Sequence, residues 1–144
     1  MPGGVSLRER QYYAHPRNQF WRIIGEIFGF DPASPYEMRL ASIRAADIAL
    51  WDVLKSCTRP GSLDSAIEPL TVVANDFAGF FAEHAQIRRV CFNGAKAEAL
   101  FMRHVRPRLG AGPDVRYLRL PSTSPANAAL PFVAKLQAWQ AIVL

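Results

Sequence analysis

With 144 residues, half of them hydrophobic and 20% charged, the chain fits one globular domain and is too short for two. Its apolar content excludes a disordered chain; no apolar run approaches the ~18 residues of a membrane helix, and the start MPGGVSLRER carries no secretory signal, so a soluble protein is expected. The net charge is +5, and 14 of the 17 basic residues are arginine, whose planar fork suits a polyanion, although GC-rich coding alone produces the same excess.

In chain order, residues 5–17 are polar and aromatic and lead into Tyr12-Tyr13-Ala14-His15-Pro16-Arg17-Asn18. Phe20, Ile23, Ile24, Ile27 and Phe28 recur at helical spacing and predict a helix over 19–28, closed by Gly29. A second helix is expected from Pro35 to Ala45, with proline in its first turn. The apolar run Ile48–Leu54 reads as a buried strand of a parallel sheet. Thr58 to Pro69, with Pro60-Gly61, is a loop. Asn75 or Asp76 caps a helix through Phe77, Phe80 and Phe81. Arg89–Phe92 is a strand, Asn93-Gly94 its turn, and Ala95–Val105 a helix. Val115–Leu120 is the last strand, Pro121–Asn127 a loop, and Pro131 opens a final helix whose Phe132, Leu136 and Trp139 share one face.

Strands separated by helices imply parallel pairing through right-handed crossovers, hence an α/β fold, a three-layer α/β/α sandwich with a short sheet. Ligands of such sheets bind outside the carboxyl ends of the strands, where Asp52, Asn93 and the loop 121–127 are expected. Pro121-Ser122-Thr123-Ser124-Pro125-Ala126-Asn127 places small hydroxyl residues between two prolines. Such a loop is rigid and narrow, and backbone N–H groups before the next helix favour an anion; it also reads as an ordinary connection. In the first motif a tyrosine can stack on a base while Asn18 hydrogen-bonds a water or a base edge. Asn18 also suits a helix cap, which uses its oxygen and leaves its amide nitrogen. Cys57 and Cys91 are too few for a disulfide framework, and His84 and His104 lack metal-ligand spacing, so no metal is expected.

The runs YYAHPRNQFW and LPSTSPANA, in this order and separation, resemble the uracil-DNA glycosylase superfamily, most closely its hypoxanthine-DNA (deoxyinosine) glycosylase family. ALWDVL, the stretch Cys57–Ile67 and VCFNGAKAEALF match the middle of that family, so the resemblance covers essentially the whole chain. It implies a parallel four-stranded sheet with helices on both faces and a base pocket at the strand ends. It implies roles as well: Asn18 is catalytic, Tyr13 stacks on the flipped base, and His15, Asp52 and Asn93 lie at the base. Arg17, Ser122, Thr123, Ser124, Pro125 and Asn127 meet the DNA.

Two departures stand out. The water-positioning Asn or Asp after the family's first strand is absent from Met1-Pro2-Gly3, as expected in the hypoxanthine branch. The strand that would precede this turn is also missing, so residues 1–144 read as a single domain truncated at its N-terminus, with an unfilled slot between the strands at Ile48–Leu54 and Arg89–Phe92. The resemblance implies a monomeric, monofunctional enzyme without a cofactor, which hydrolyses the N-glycosidic bond of a deaminated base, hypoxanthine first, in double-stranded DNA. No membrane partner is implied, and a cytoplasmic, nucleoid-associated bacterial protein is expected. The alternatives are a uracil or mismatch-specific glycosylase and, because of the missing strand, an inactive nucleic-acid-binding module.

Overall fold

A computed structural model describes residues 2–62, 64–110 and 114–143. In chain order its elements are helix α1 (Gly4–Glu9), α2 (Phe20–Phe28), α3 (Tyr36–Ala45), strand β1 (Leu54–Ser56), β2 (Val73–Ala74), α4 (Phe77–Glu83), β3 (Arg89–Asn93), α5 (Ala95–His104), β4 (Arg116–Leu120) and α6 (Phe132–Trp139), with single 3-10 turns between them. The chain forms two compact units, Asp52–Leu120 and Pro2–Trp51 together with Pro121–Leu144.

In the first unit β3 and β4 pair in parallel, from Arg89 opposite Arg116 to Asn93 opposite Leu120. A parallel pair needs a crossover, and α5 provides it. Gly94 turns β3 into α5 with φ 95°, a conformation that side chains disfavour, and its N–H bonds the Leu120 carbonyl at 3.0 Å. Phe101 of α5 is fully buried, with ring contacts to Phe77 and Phe92 at 5.1 Å and Tyr117 at 5.5 Å. Val53, Leu54, Ile67, Phe81, Leu100 and Val105 also belong to this core. Of the two candidate caps of α4 it is Asp76 that serves, its Oδ1 accepting the Gly79 N–H at 3.0 Å, while Asn75 Nδ2 donates to the Asp52 carbonyl at 2.8 Å.

The expected strand at Ile48–Leu54 is corrected: residues 48–52 lie in no strand, and β1 begins only at Leu54. Asp47 takes a left-handed φ of 56°, and the Ile48 N–H bonds back to the Ile43 carbonyl at 2.9 Å, which ties the run to the end of α3. Its apolar content is therefore not that of a strand buried on both faces; Ala49 and Trp51 are exposed. The four-stranded parallel sheet is corrected too. Among the described residues the sheets are two pairs, and β1–β2 is antiparallel with a bulge between Leu54 and Ser56. The described residues between these strands make 3-10 turns only, so the chain reverses instead of crossing over. Asp52 accordingly precedes its strand rather than closing it, and the slot expected beside Ile48–Leu54 loses one of its walls.

The second unit is helical. The apolar stripe read from the sequence forms α2, where Phe20, Trp21, Ile23 and Ile24 are buried and pack towards α3 and α6 with Ile43 and Trp139. Each such side chain contributes roughly 1.5–3 kcal/mol on burial. Gly29 closes the helix with φ 73°. The helix α1 was not legible in residues 5–17. In α6 the buried positions are Lys135 and Trp139, with Phe132 and Leu136 only half-buried, so the expected face is shifted towards the lysine.

Candidate active site

Both motifs of the resemblance fall in the helical unit. The first is a loop held at several points. The Tyr12 N–H donates to the Tyr36 hydroxyl at 3.0 Å, the Trp21 indole donates to the Tyr12 carbonyl at 2.9 Å, and the Ala14 N–H donates to the buried Ser6 hydroxyl at 3.1 Å. Between these clamps Tyr13 is held in a left-handed conformation, φ 55°, which a tyrosine adopts only at a cost of roughly 1–2 kcal/mol. The clamps hold it there and set its ring against Phe20, centroids 3.9 Å apart and 23° from parallel. Phe20 in turn meets Trp139 edge-on at 5.7 Å. Tyr13 is thus backed by a rigid aromatic pile.

Asn18 caps α2. Its Oδ1 accepts the Phe20 N–H at 2.9 Å, and its own N–H donates to the His15 carbonyl at 2.8 Å. Gln19 already has helical dihedrals and its carbonyl accepts from Ile23, so the cap satisfies a donor at the true start of the helix. The fold engages one acceptor site of the oxygen; Nδ2 makes no hydrogen bond among the described residues. His15 Nδ1 accepts the Arg17 N–H at 3.1 Å, so in the neutral ring Nε2 carries the proton. Arg17 is exposed.

The second motif leaves the carboxyl end of β4 and folds on itself. Ser122 Oγ accepts the Ser124 N–H at 3.2 Å, Ser124 Oγ the Ala126 N–H at 3.3 Å, and the Ser124 carbonyl the Asn127 N–H at 3.0 Å. Asn127 Nδ2 donates to the Ser122 carbonyl at 3.0 Å. Three backbone donors expected to face an anion are therefore spent within the loop. Each of these hydroxyl oxygens accepts one bond, and the O–H hydrogens of Ser122 and Ser124 remain to be donated. Thr123 is fully buried, so its side chain holds the loop rather than meeting DNA. Pro125 is half-buried.

The two motifs meet: the Gln19 N–H donates to the Thr123 carbonyl at 3.0 Å. A second link passes through a residue that sequence reasoning missed. Lys135, 2% exposed, donates from Nζ to Gln19 Oε1 at 2.9 Å and to the Asn127 carbonyl at 2.7 Å. Burial pushes its ammonium below the ordinary lysine range. The Trp139 indole donates to the Pro121 carbonyl at 2.9 Å, pinning the other end of the loop. A lone charge in a largely apolar helix, FVAKLQAW, was the available signal. Asp52 and Asn93 belong to the other unit, Asn93 as the last residue of β3. Burial also raises the Cys91 thiol above its ordinary range, away from thiolate chemistry. No helix among the described residues is long and apolar enough to cross a membrane.

No family model matches the chain. Among curated proteins it is similar to the hypoxanthine DNA glycosylase of Methanosarcina acetivorans, 38% identical over 129 residues that span 88% of this chain and 76% of that protein. It is also similar to the hypoxanthine DNA glycosylase of Methanosarcina barkeri, 40% identical over 98 residues that span 67% of this chain and 61% of that protein. A solution NMR structure from M. acetivorans, provisionally described as a uracil DNA glycosylase, superposes with a TM-score of 0.79 at 34% identity, covering 99% of this chain and 83% of the other. Both organisms are archaea, which lends the expected bacterial source no support. The identity and the shared fold together mean that the chain belongs to the hypoxanthine DNA glycosylase family of the uracil-DNA glycosylase superfamily.

Proposed function

We propose that the protein is a monofunctional DNA glycosylase that releases hypoxanthine from deoxyinosine in double-stranded DNA. The observation that carries this reading is the bond from the Gln19 N–H to the Thr123 carbonyl, which brings the amide-bearing helix start and the serine loop together. A deaminated base is mispaired, so flipping it out of the stack costs less than flipping a normal base. The flipped base stacks on Tyr13, which Phe20 backs. Bond cleavage builds negative charge on the departing base and positive charge on the sugar, and preorganised dipoles lower that barrier most. Asn18 contributes through Nδ2, because its oxygen is engaged in the cap. Ser122 and Ser124 donate their hydroxyl hydrogens to phosphate or sugar, and Arg17 adds charge at the surface. Asp52 and Asn93 stay outside this assignment.

The lysine bonded to these motifs supports monofunctional chemistry: Lys135 Nζ is buried and held by two carbonyl oxygens, not presented as a nucleophile. The test is incubation with duplexes carrying inosine, uracil or xanthine, followed by alkali and a sequencing gel. Strand breaks at inosine after alkali, and none before it, are expected. Faster release of uracil would move the assignment to the uracil branch, and no release from any substrate would leave a binding module.

A further inference from the structure

We propose that Lys135 is a positioning residue for base release: its buried ammonium ties Gln19, next to the Asn18 amide, to the Ser122–Asn127 loop, and so sets the distance between the two halves of the site. This rests on the glycosylase reading above. Lys135 meets Gln19 Oε1 at 2.9 Å and the Asn127 carbonyl at 2.7 Å, and both partners are neutral. No carboxylate among the described residues pairs with it. Taking an ammonium out of water is costly, and two neutral acceptors return only part of that cost. An apolar side chain of similar length would spare α6 the burial of a charge, but it would leave Gln19 Oε1 and the Asn127 carbonyl without this donor, so stability and positioning need separate readouts.

What an apolar residue cannot do is hold two oxygens from different segments at hydrogen-bond distance from one atom. The lysine closes a circuit: Gln19 N–H to Thr123 carbonyl, Asn127 Nδ2 to Ser122 carbonyl, and Nζ to both Gln19 and Asn127. Every member except Lys135 itself is a residue of the two motifs. With the circuit closed, the Asn18 amide and the serine hydroxyls keep one separation, which a reaction sensitive to misplacement by about 1 Å requires.

The experiment compares wild type with Lys135→Met and, cutting the same link from the other side, Gln19→Leu. Three quantities are read: the single-turnover rate of base release, the affinity for inosine DNA, and hydrogen exchange of the Gln19 amide. At least one variant folded as stably as wild type is expected to lose roughly tenfold to a hundredfold in rate, with affinity changed less than rate and faster exchange at Gln19. The double variant should lose no more than the worse single one. Wild-type rate in a folded variant, a rate loss that only follows the lost folded fraction, or unchanged Gln19 exchange would each overturn the proposal. An inactive wild type would overturn the glycosylase reading instead, while the exchange measurement still reports whether the link exists.

Discussion

The Asn18 amide has one end in the fold and one end available, and two substitutions separate them. Asn18→Ala removes both. Losing the 2.9 Å bond to the Phe20 N–H costs about 0.5–2 kcal/mol, as for other helix caps. For a chain of this size a loss of about 1 kcal/mol lowers Tm by roughly 2–4 °C. Asn18→Asp keeps an acceptor for that N–H and places a negative charge at a helix start, worth about 0.3–1 kcal/mol in its favour. It should therefore match or exceed wild type in Tm. Both variants lose the Nδ2 donor, and removing one preorganised donor costs about 10²–10³ in rate, or about 2.7–4 kcal/mol. Single-turnover release from inosine duplexes, with DNA affinity measured in parallel, tests this. Both variants should bind nearly as well as wild type and turn over at least a hundredfold more slowly. Full rate in Asn18→Asp would refute the Nδ2 assignment, and an unchanged Tm in Asn18→Ala would refute the cap.

Tyr13→Ala should weaken binding to inosine DNA by the stacking of one base, about 1–3 kcal/mol, while Tyr13→Phe stays near wild type; Tyr13→Gly, relieved of the left-handed φ of 55°, should melt above Tyr13→Ala. If the 14 arginines include phosphate contacts, DNA affinity falls roughly tenfold or more between 50 and 200 mM salt, and a flat salt titration would leave the excess to codon bias. Burial lowers the pKa of folded Lys135, so the unfolded chain holds that proton more tightly. Stability should then rise with pH from the folded pKa towards the unfolded value near ~10.4. Wild type gains on Lys135→Met over that window, and parallel stability curves for the two would contradict the burial argument. Gly25→Ala should destabilise by about 1–3 kcal/mol in a denaturant titration despite alanine's better helix propensity, because its Cβ would lie 2.6 Å from the Phe30 carbonyl oxygen.

The site was legible in its parts. The aromatic run before Asn18 and the serine loop stand out by composition, while the resemblance singles out Tyr13 and Asn18; the cap engages the Asn18 oxygen and leaves its amide nitrogen for the proposed role. Thr123 shows the limit: a hydroxyl in a polar loop reads as exposed, yet the loop's own hydrogen bonds turn it inward. Lys135 shows the opposite limit, since a lone lysine on a helix is ordinarily solvated, and only packing reveals that its head is buried.

The helix α2, its glycine stop and a cap at Asn75 or Asp76 follow from local pattern, because helical periodicity and capping act over a few residues, and the parallel β3–α5–β4 unit follows from the strand–helix–strand order that requires a crossover. The pairing of Leu54–Ser56 with Val73–Ala74, the fate of Ile48–Leu54 and the direction of Lys135 do not. An apolar run is the same string of residues whether it enters a ladder or lies beside a helix end, and a buried ammonium is tolerated only where two carbonyl oxygens from distant segments already converge. Those choices belong to the tertiary structure, which alone brings position 19, position 127 and position 135 to one point.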